Sequence, residues 1–383
     1  MLLREVVLGC VGRWIHHFGV EEVSLLSSDL CEELLAQWMH DVAHGGSMEH
    51  QSPSEILCKV PAHPRDLQLH IHTKEDHESL LRFLGQQIHL QALDLSHSSF
   101  PLDLTDVKVT LAVPLTKLRL CGCRNIRYEG FQALEDLHAL RFLDLSFTLL
   151  SDCNSLFLES LPMLEELLLL GTRIGDNTAK RLHNKQFIRV LDVQRTAVTP
   201  SVVLSLVASC SSLEDIRASP VVDSCHGFRE ELEAQAPRIT RPQPYFLSQV
   251  PLGSEPWSVH TLRLRHCSLF DEDVHSIVAN SNCGLRSLDL AGSSISDTAL
   301  RGLFAPRHCD SLTLLDISHC PILDPIFLHH VFRYLGSLQS LYLSNSTLSD
   351  RHLESAGERS KLQHLDVSLC DLSEIGVLQI VPK

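Results

Sequence analysis

One stretch limits what this chain can fold into more than any other. Leu285–Leu303 reads LRSLDLAGSSISDTALRGL. Leu285, Leu288 and Leu290 open it, Ser293 and Ile295 follow, and Ser296-Asp297 precedes the apolar pair Leu300/Leu303. The first half alternates with the period of a strand. The second half shifts to helical spacing, with Ser296 or Asp297 placed to cap the helix. A strand–turn–helix this short cannot bury its own apolar side, so it needs copies of itself on both sides.

The copies are present. The leading apolar residue recurs at Leu90, Leu115, Leu140, Leu164, Ile188, Leu213, Val259, Leu285, Leu312, Leu338 and Leu362. The steps are 24 to 27 residues, except one of 46 between Leu213 and Val259. The ninth position of each unit reads Ser98, Cys123, Thr148, Thr172, Thr196, Val221, Cys267, Ser293, Cys320, Ser346 and Cys370. All but Val221 are small and carry a hydrogen-bonding atom.

The period and this Ser/Thr/Cys column resemble leucine-rich repeats of the cysteine-containing and ribonuclease-inhibitor-like classes. LRLCGCRNI (118–126) and LLDISHCPILD (314–324) are the nearest segments. The resemblance covers about residues 65–383. It implies an α/β leucine-rich-repeat solenoid, a curved horseshoe with an inner parallel sheet and outer helices. In such repeats the ninth slot turns inward and satisfies backbone groups of the turn. The resemblance implies a binding surface without naming a ligand.

Ahead of the repeats, residues 2–18 and 28–40 read as two helices, followed by a turn-rich linker from His44 to Pro53. Residues 1–64 are therefore expected to form an N-terminal helical cap over the first repeat. A second expectation coexists with it. Leu26-Ser27-Ser28-Asp29-Leu30 with Leu34 and Leu35 is similar to the opening of an F-box and to the cullin box of VHL-box proteins. Both patterns prefer proline where Ser27 stands. Two helices ahead of such repeats resemble the substrate receptors of cullin–RING ubiquitin ligases, which implies Skp1 or elongin, with a cullin, as partners.

Residues 67–72 read as a strand that starts the sheet, and Thr73 caps a helix through about Gly85 with Leu80, Leu81 and Leu84 inward. The long step holds Pro237, Pro242, Pro244, Pro251 and Pro256, so 236–258 is expected to be a rim loop. Tyr245, Phe246 and Trp257 in it either pack on the solenoid edge or meet a partner. The final unit runs to Lys383 after two helical turns, and its edge is expected to need a cover.

The net charge of −15 disfavours nucleic acid as a partner. No apolar run approaches the length of a membrane span. The N-terminus reads as a helix without a signal-peptide core, and the thirteen cysteines are odd in number with four in the column, so reduced thiols and a cytoplasmic, possibly nuclear, location are expected. Cys121-Gly122-Cys123 and the pairs His266-Cys267, His308-Cys309 and His319-Cys320 invite a zinc reading, but their cysteines at 123, 267 and 320 are column positions, one per unit. No metal, cofactor or catalytic constellation is expected.

The informative column is the fifth: Asp94, Arg119, Asp144, Leu168, Asp192, Arg217, Arg263, Asp289, Asp316, Tyr342 and Asp366. Strand alternation places it on the open, concave face, where Asp94–Arg119–Asp144 and Asp192–Arg217 can pair across strands about 4.8 Å apart. These residues either form a solvated ladder or a protein-binding face. Phe142, Phe147, Leu168 and Leu170 favour binding, being apolar where water is expected. The chain reads as a non-enzymatic recognition module and, within that, as a substrate receptor for a cullin–RING ubiquitin ligase. The alternatives are a scaffold or inhibitor without a ligase link and a GTPase-activating protein on similar repeats.

Overall fold

The computed structural model describes residues 64–374 apart from 88, 103, 111–113, 184, 221–256, 268, 282–283, 321–324 and 351–360, together with Leu30 and Leu35. The chain divides into two compact units, Met1–Thr172 and Arg173–Lys383.

The first unit runs β1 (Asp66–Gln68), α1 (Lys74–Leu84), β2 (Ala92–Asp94), α2 (Leu104–Thr110), β3 (Lys117–Arg119), α3 (Tyr128–Ala133), β4 (Phe142–Asp144) and β5 (Glu166–Leu168). Each strand pairs with the next in parallel. The second unit runs α4 (Asp176–Lys180), β6 (Val190–Thr196), α5 (Pro200–Ser209), β7 (Asp215–Pro220), β8 (Thr261–Leu264), α6 (Asp271–Asn280), β9 (Ser287–Asp289), α7 (Asp297–Leu300), α8 (Pro306–Cys309), β10 (Leu314–Asp316), α9 (Pro325–Tyr334), β11 (Ser340–Tyr342) and β12 (His364–Asp366). These seven strands also pair in order and in parallel. Thus β7 and β8, which flank the 46-residue step, are direct neighbours. The architecture is the expected α/β repeat solenoid.

The leucine spacing explains the core. In the repeat begun at Leu140, the first, fourth and sixth positions, Leu140, Leu143 and Leu145, are fully buried. The same three positions are buried at Leu285, Leu288 and Leu290. Each such leucine contributes roughly 1.5–3 kcal/mol by leaving water. α1 adds Leu80, Phe83 and Leu84 to the core. Its start was legible: Thr73 accepts from the Asp76 amide and Asp76 accepts from the Thr73 amide, a reciprocal cap. The strand expected over 67–72 is confined to Asp66–Gln68.

The ninth-position column is inward as expected, and it ties backbone in two ways. Thr148, Thr172, Thr196 and Ser346 donate their hydroxyls to the sixth-position carbonyl of their own repeat. Cys123, Cys267, Cys320 and Cys370 instead donate their thiols to the corresponding carbonyl of the preceding repeat. The longer C–S bonds and larger sulfur reach what a hydroxyl does not. Burial pushes the Cys123 and Cys320 thiols up to about 11 and Cys267 up to about 12, so these thiols stay protonated at neutral pH. Ser293 is buried, but its hydroxyl has no partner among the described residues.

The helix cap expected at Ser296 is corrected. Ser296 holds the N-cap position of α7, but its side chain makes no capping bond to a backbone amide of that helix; within α7 it meets only the Thr298 hydroxyl, at 2.6 Å. Its amide and hydroxyl both donate to Asp271, the first residue of α6, and Thr298 donates to the same carboxylate. The motif recurs where Thr199 meets Asp176 and where Ser373 meets Asp350. Each aspartate therefore staples its repeat to the next rather than closing its own helix.

Residues 236–256 of the expected rim loop, with Tyr245 and Phe246, lie outside the described residues. Trp257, at its end, is buried. Most of the expected N-terminal cap also lies outside them.

Candidate recognition face

The third, fifth and seventh positions of each strand lie on the sheet face opposite the buried leucines. Chemistry internal to the repeat claims much of it. Asp94, Asp144, Asp192, Asp289, Asp316 and Asp366 each accept a hydrogen bond from the amide two residues on, at Ser96, Ser146, Gln194, Ala291, Ser318 and Ser368. This is an Asx turn at the strand exit. The chain then enters the left-handed region at the eighth position. Gly122, Gly171 and Gly292 do so without strain, but His97, Phe147, Arg195, His266, His319, Asn345 and Leu369 do so as well.

The turn leads to a side-chain arrangement that sequence reasoning missed. A Cβ on Gly122 would meet the His97 ring, one on Gly171 the Phe147 ring, and one on Gly292 the His266 ring. Each ring thus stands over the glycine of the following repeat. His266 and His319 lie 6.1 Å apart across Gly292, and Asn345 bonds to His319 at 2.9 Å. Burial, with the Arg265 and His319 charges, holds the His266 imidazole below its usual range.

In the first unit the fifth-column pairs are loose. Arg119 lies 3.9 Å from Asp94, and its guanidinium sits 4.9 Å over the Phe142 ring. Leu168 faces Asp144 across the β4–β5 register. One turn further, the Phe147 amide donates to the Leu170 carbonyl at 2.7 Å. Phe142, Phe147, Leu168 and Leu170 are all half-buried, so these two adjoining strands present apolar surface capped on one side by a cation.

In the second unit charge replaces that surface. Arg217 bonds to Asp215 at 2.7 Å and lies 3.9 Å from Asp192. The Asp215 hydrogen bond raises its already high pKa, against burial. Arg265, at a seventh position, bridges Asp289 at 3.2 Å and Asp316 on the next strand. Asp192, Asp289 and Asp316 are buried, so they offer a partner far less than their column suggests. Burial, then the Asp316 charge, pushes the Asp289 carboxyl above its usual range. Tyr342 is half-buried on β11, and Asp366 is committed to Ser368. Arg263 is half-buried, and its guanidinium makes no ion pair or hydrogen bond with the described residues.

These features can now be set beside known proteins. No protein-family model and no curated protein matches the sequence. Among solved structures, an internalin from Listeria monocytogenes superposes with a TM-score of 0.50 at 18% identity, over 90% of this chain and 92% of its own. The protein folds as a leucine-rich-repeat solenoid. The APL1 leucine-rich-repeat domain gives a TM-score of 0.45 at 14% identity, over 80% of this chain and 69% of its own. A chain of the Drosophila Toll–Spatzle complex gives 0.47 at 12%, over 85% and 38%. At these identities the likeness concerns the fold.

Of the expected adaptor box, Leu26 and Leu34 lie outside the described residues. Leu30 and Leu35 are helical; Leu35 is only 1% exposed, and Leu30 is half-buried. The repeat cysteines at 123, 267 and 320 point to backbone carbonyls, which accounts for them without a metal. Among the described residues no group of three or more His, Cys, Asp or Glu side chains is placed to hold an ion, and no helix is long and apolar enough to cross a membrane.

Proposed function

We propose that this leucine-rich-repeat solenoid is a non-enzymatic protein-recognition module that binds through the open face of its sheet. The observation that carries the reading is the Arg119–Phe142–Leu168–Leu170–Phe147 surface. On a soluble scaffold these apolar groups are unfavourable in water unless a partner covers them. A preformed strand surface also loses little conformational entropy on binding. Within this reading the finer proposal is a substrate receptor of a cullin–RING ubiquitin ligase, at work in the cytoplasm or nucleus. Its support is the box-like leucine pattern from Leu26 to Leu35, with Leu35 buried and Leu30 partly accessible. One stripe then packs while the other meets Skp1 or elongin.

The test is recovery of partners on tagged full-length chain. Leu30→Glu with Leu34→Glu is expected to lose Skp1 or elongin and the cullin while folding is kept. If neither adaptor is recovered with the unaltered chain, the ligase proposal falls. The recognition reading itself falls if Phe142→Asp with Leu168→Asp leaves every recovered partner in place.

A further inference from the structure

Arginines on the open face are almost all committed. Arg119 rests on Phe142 beside Asp94, Arg217 holds Asp215 and Asp192, and Arg265 holds Asp289 and Asp316. Arg263 lies in register with Arg217 on β7 and Asp289 on β9. Neither neighbouring carboxylate is available to it. Asp215 is taken by Arg217, and Asp289 by Arg265 and the Ala291 amide. Among the described residues Arg263 has no ion-pair or hydrogen-bond partner, and none of its guanidinium nitrogens is a buried, unsatisfied atom, so the group is open to an incoming ligand. The flanking third-position residues, Thr261 and Ser287, carry short side chains.

We propose that Arg263 receives a carboxylate of an acidic side chain from the protein partner. The proposal rests on the reading of this face as a recognition surface and adds the chemistry that surface selects. Guanidinium and carboxylate match in a planar, two-bond geometry. The net charge of −15 argues for one short-range contact over a diffuse basic field, and so against a polyphosphate chain as the ligand. The paired neighbours Arg217 and Arg265 are held in place by their own aspartates, so the incoming acid competes with no internal ion pair at Arg263.

The experiment is selection of a phage-displayed random twelve-residue peptide library on the full chain, then on Arg263→Gln, Arg263→Lys and the outer-surface control Arg301→Gln. Peptides from the unaltered chain are expected to be enriched in Asp and Glu. A selected peptide should bind at least ten-fold more weakly to Arg263→Gln, less weakly to Arg263→Lys, and equally to Arg301→Gln. Unchanged thermal unfolding of Arg263→Gln shows that the loss is local. Selected peptides without acidic enrichment, or equal binding to Arg263→Gln, overturn the proposal while leaving the recognition reading intact. Binding of a labelled single-stranded oligonucleotide that depends on Arg263 overturns it in favour of a phosphate ligand. Failure to select any peptide overturns both.

Discussion

The two units build their open faces from the same columns and reach different chemistry. Between Met1 and Thr172 the face carries Phe142, Leu168 and Leu170, with a single guanidinium laid over an aromatic ring. Between Arg173 and Lys383 it carries three arginines and five aspartates, most of them locked to one another. Six fifth-position aspartates in both units do the same internal work, holding the amide two residues on. Aspartate in this column is therefore a requirement of the turn. The turn leaves unclaimed the apolar group in the first unit and Arg263 in the second.

If charge in the second unit is structural, removing its centre should cost far more than the same change in the first. Arg265→Met leaves Asp289 and Asp316 buried side by side without their cation. The cost is expected to be about 3 kcal/mol, the low end for a broken buried pair because Arg265 is itself 48% exposed. Arg119→Met, by contrast, should cost less than about 1 kcal/mol. Urea unfolding of the two variants decides this, and equal costs would erase the distinction between the faces.

A change to the shared scaffold should show no such difference. Thr172→Val in the first unit and Thr196→Val in the second each remove a buried hydroxyl that now donates to a backbone carbonyl, at 2.7 and 2.6 Å. Each is expected to cost about 1–3 kcal/mol and to leave binding unchanged. A cost in one unit alone would mean that the column is not one device.

These cases also show what could be read from residues alone. The leucine period and the ninth column were legible because burial and turn chemistry restrict them to few residue types. The fifth column was legible as a face but not as a partition, because Asp289 in an Asx turn and an aspartate meeting a partner look alike in sequence. The eighth position was missed. Only three glycines mark its left-handed backbone, while His97, Phe147, His266 and His319 enter the same conformation. The inter-repeat staple had a signal that local capping rules overrode: Asp271 and Ser296 stand 25 residues apart, one repeat.

A smaller effect concerns pH in the second unit. His308 is fully buried; its Nδ1 accepts from the Leu285 amide at 3.2 Å and its Nε2 lies 3.2 Å from the Val278 carbonyl. Burial holds this imidazole below its usual pKa, so it is neutral in the folded state. The unfolded chain takes up the proton first as pH falls, near its ordinary pKa of about 6.5. The contribution is therefore fully present above that value and declines below it. Unfolding midpoints at pH 7.5 and 5.5 are expected to differ less for His308→Gln than for the parent. An unchanged difference would place the pH dependence elsewhere.

The smallest effect on stability belongs to the substitutions with the largest expected effect on binding. Phe142 and Leu168 are half-buried on the face away from the leucine core, so replacing them by aspartate removes little packed surface. Phe142→Asp also gives Arg119 a carboxylate where it now has a ring, which offsets part of the lost contact. Each variant should unfold within about 0.5–1 kcal/mol of the parent. Partner recovery should nevertheless fall, because a carboxylate replaces apolar surface that the partner would cover and must be desolvated on binding. Adaptor recovery should persist, since the leucines at 26–35 are separate in sequence from β4 and β5. The comparison becomes sharper if Arg263→Gln then weakens an acidic peptide while these two variants weaken an apolar one. If Phe142→Asp and Leu168→Asp remove adaptor and substrate together with folding intact, the division between an N-terminal docking element and an open recognition face is wrong.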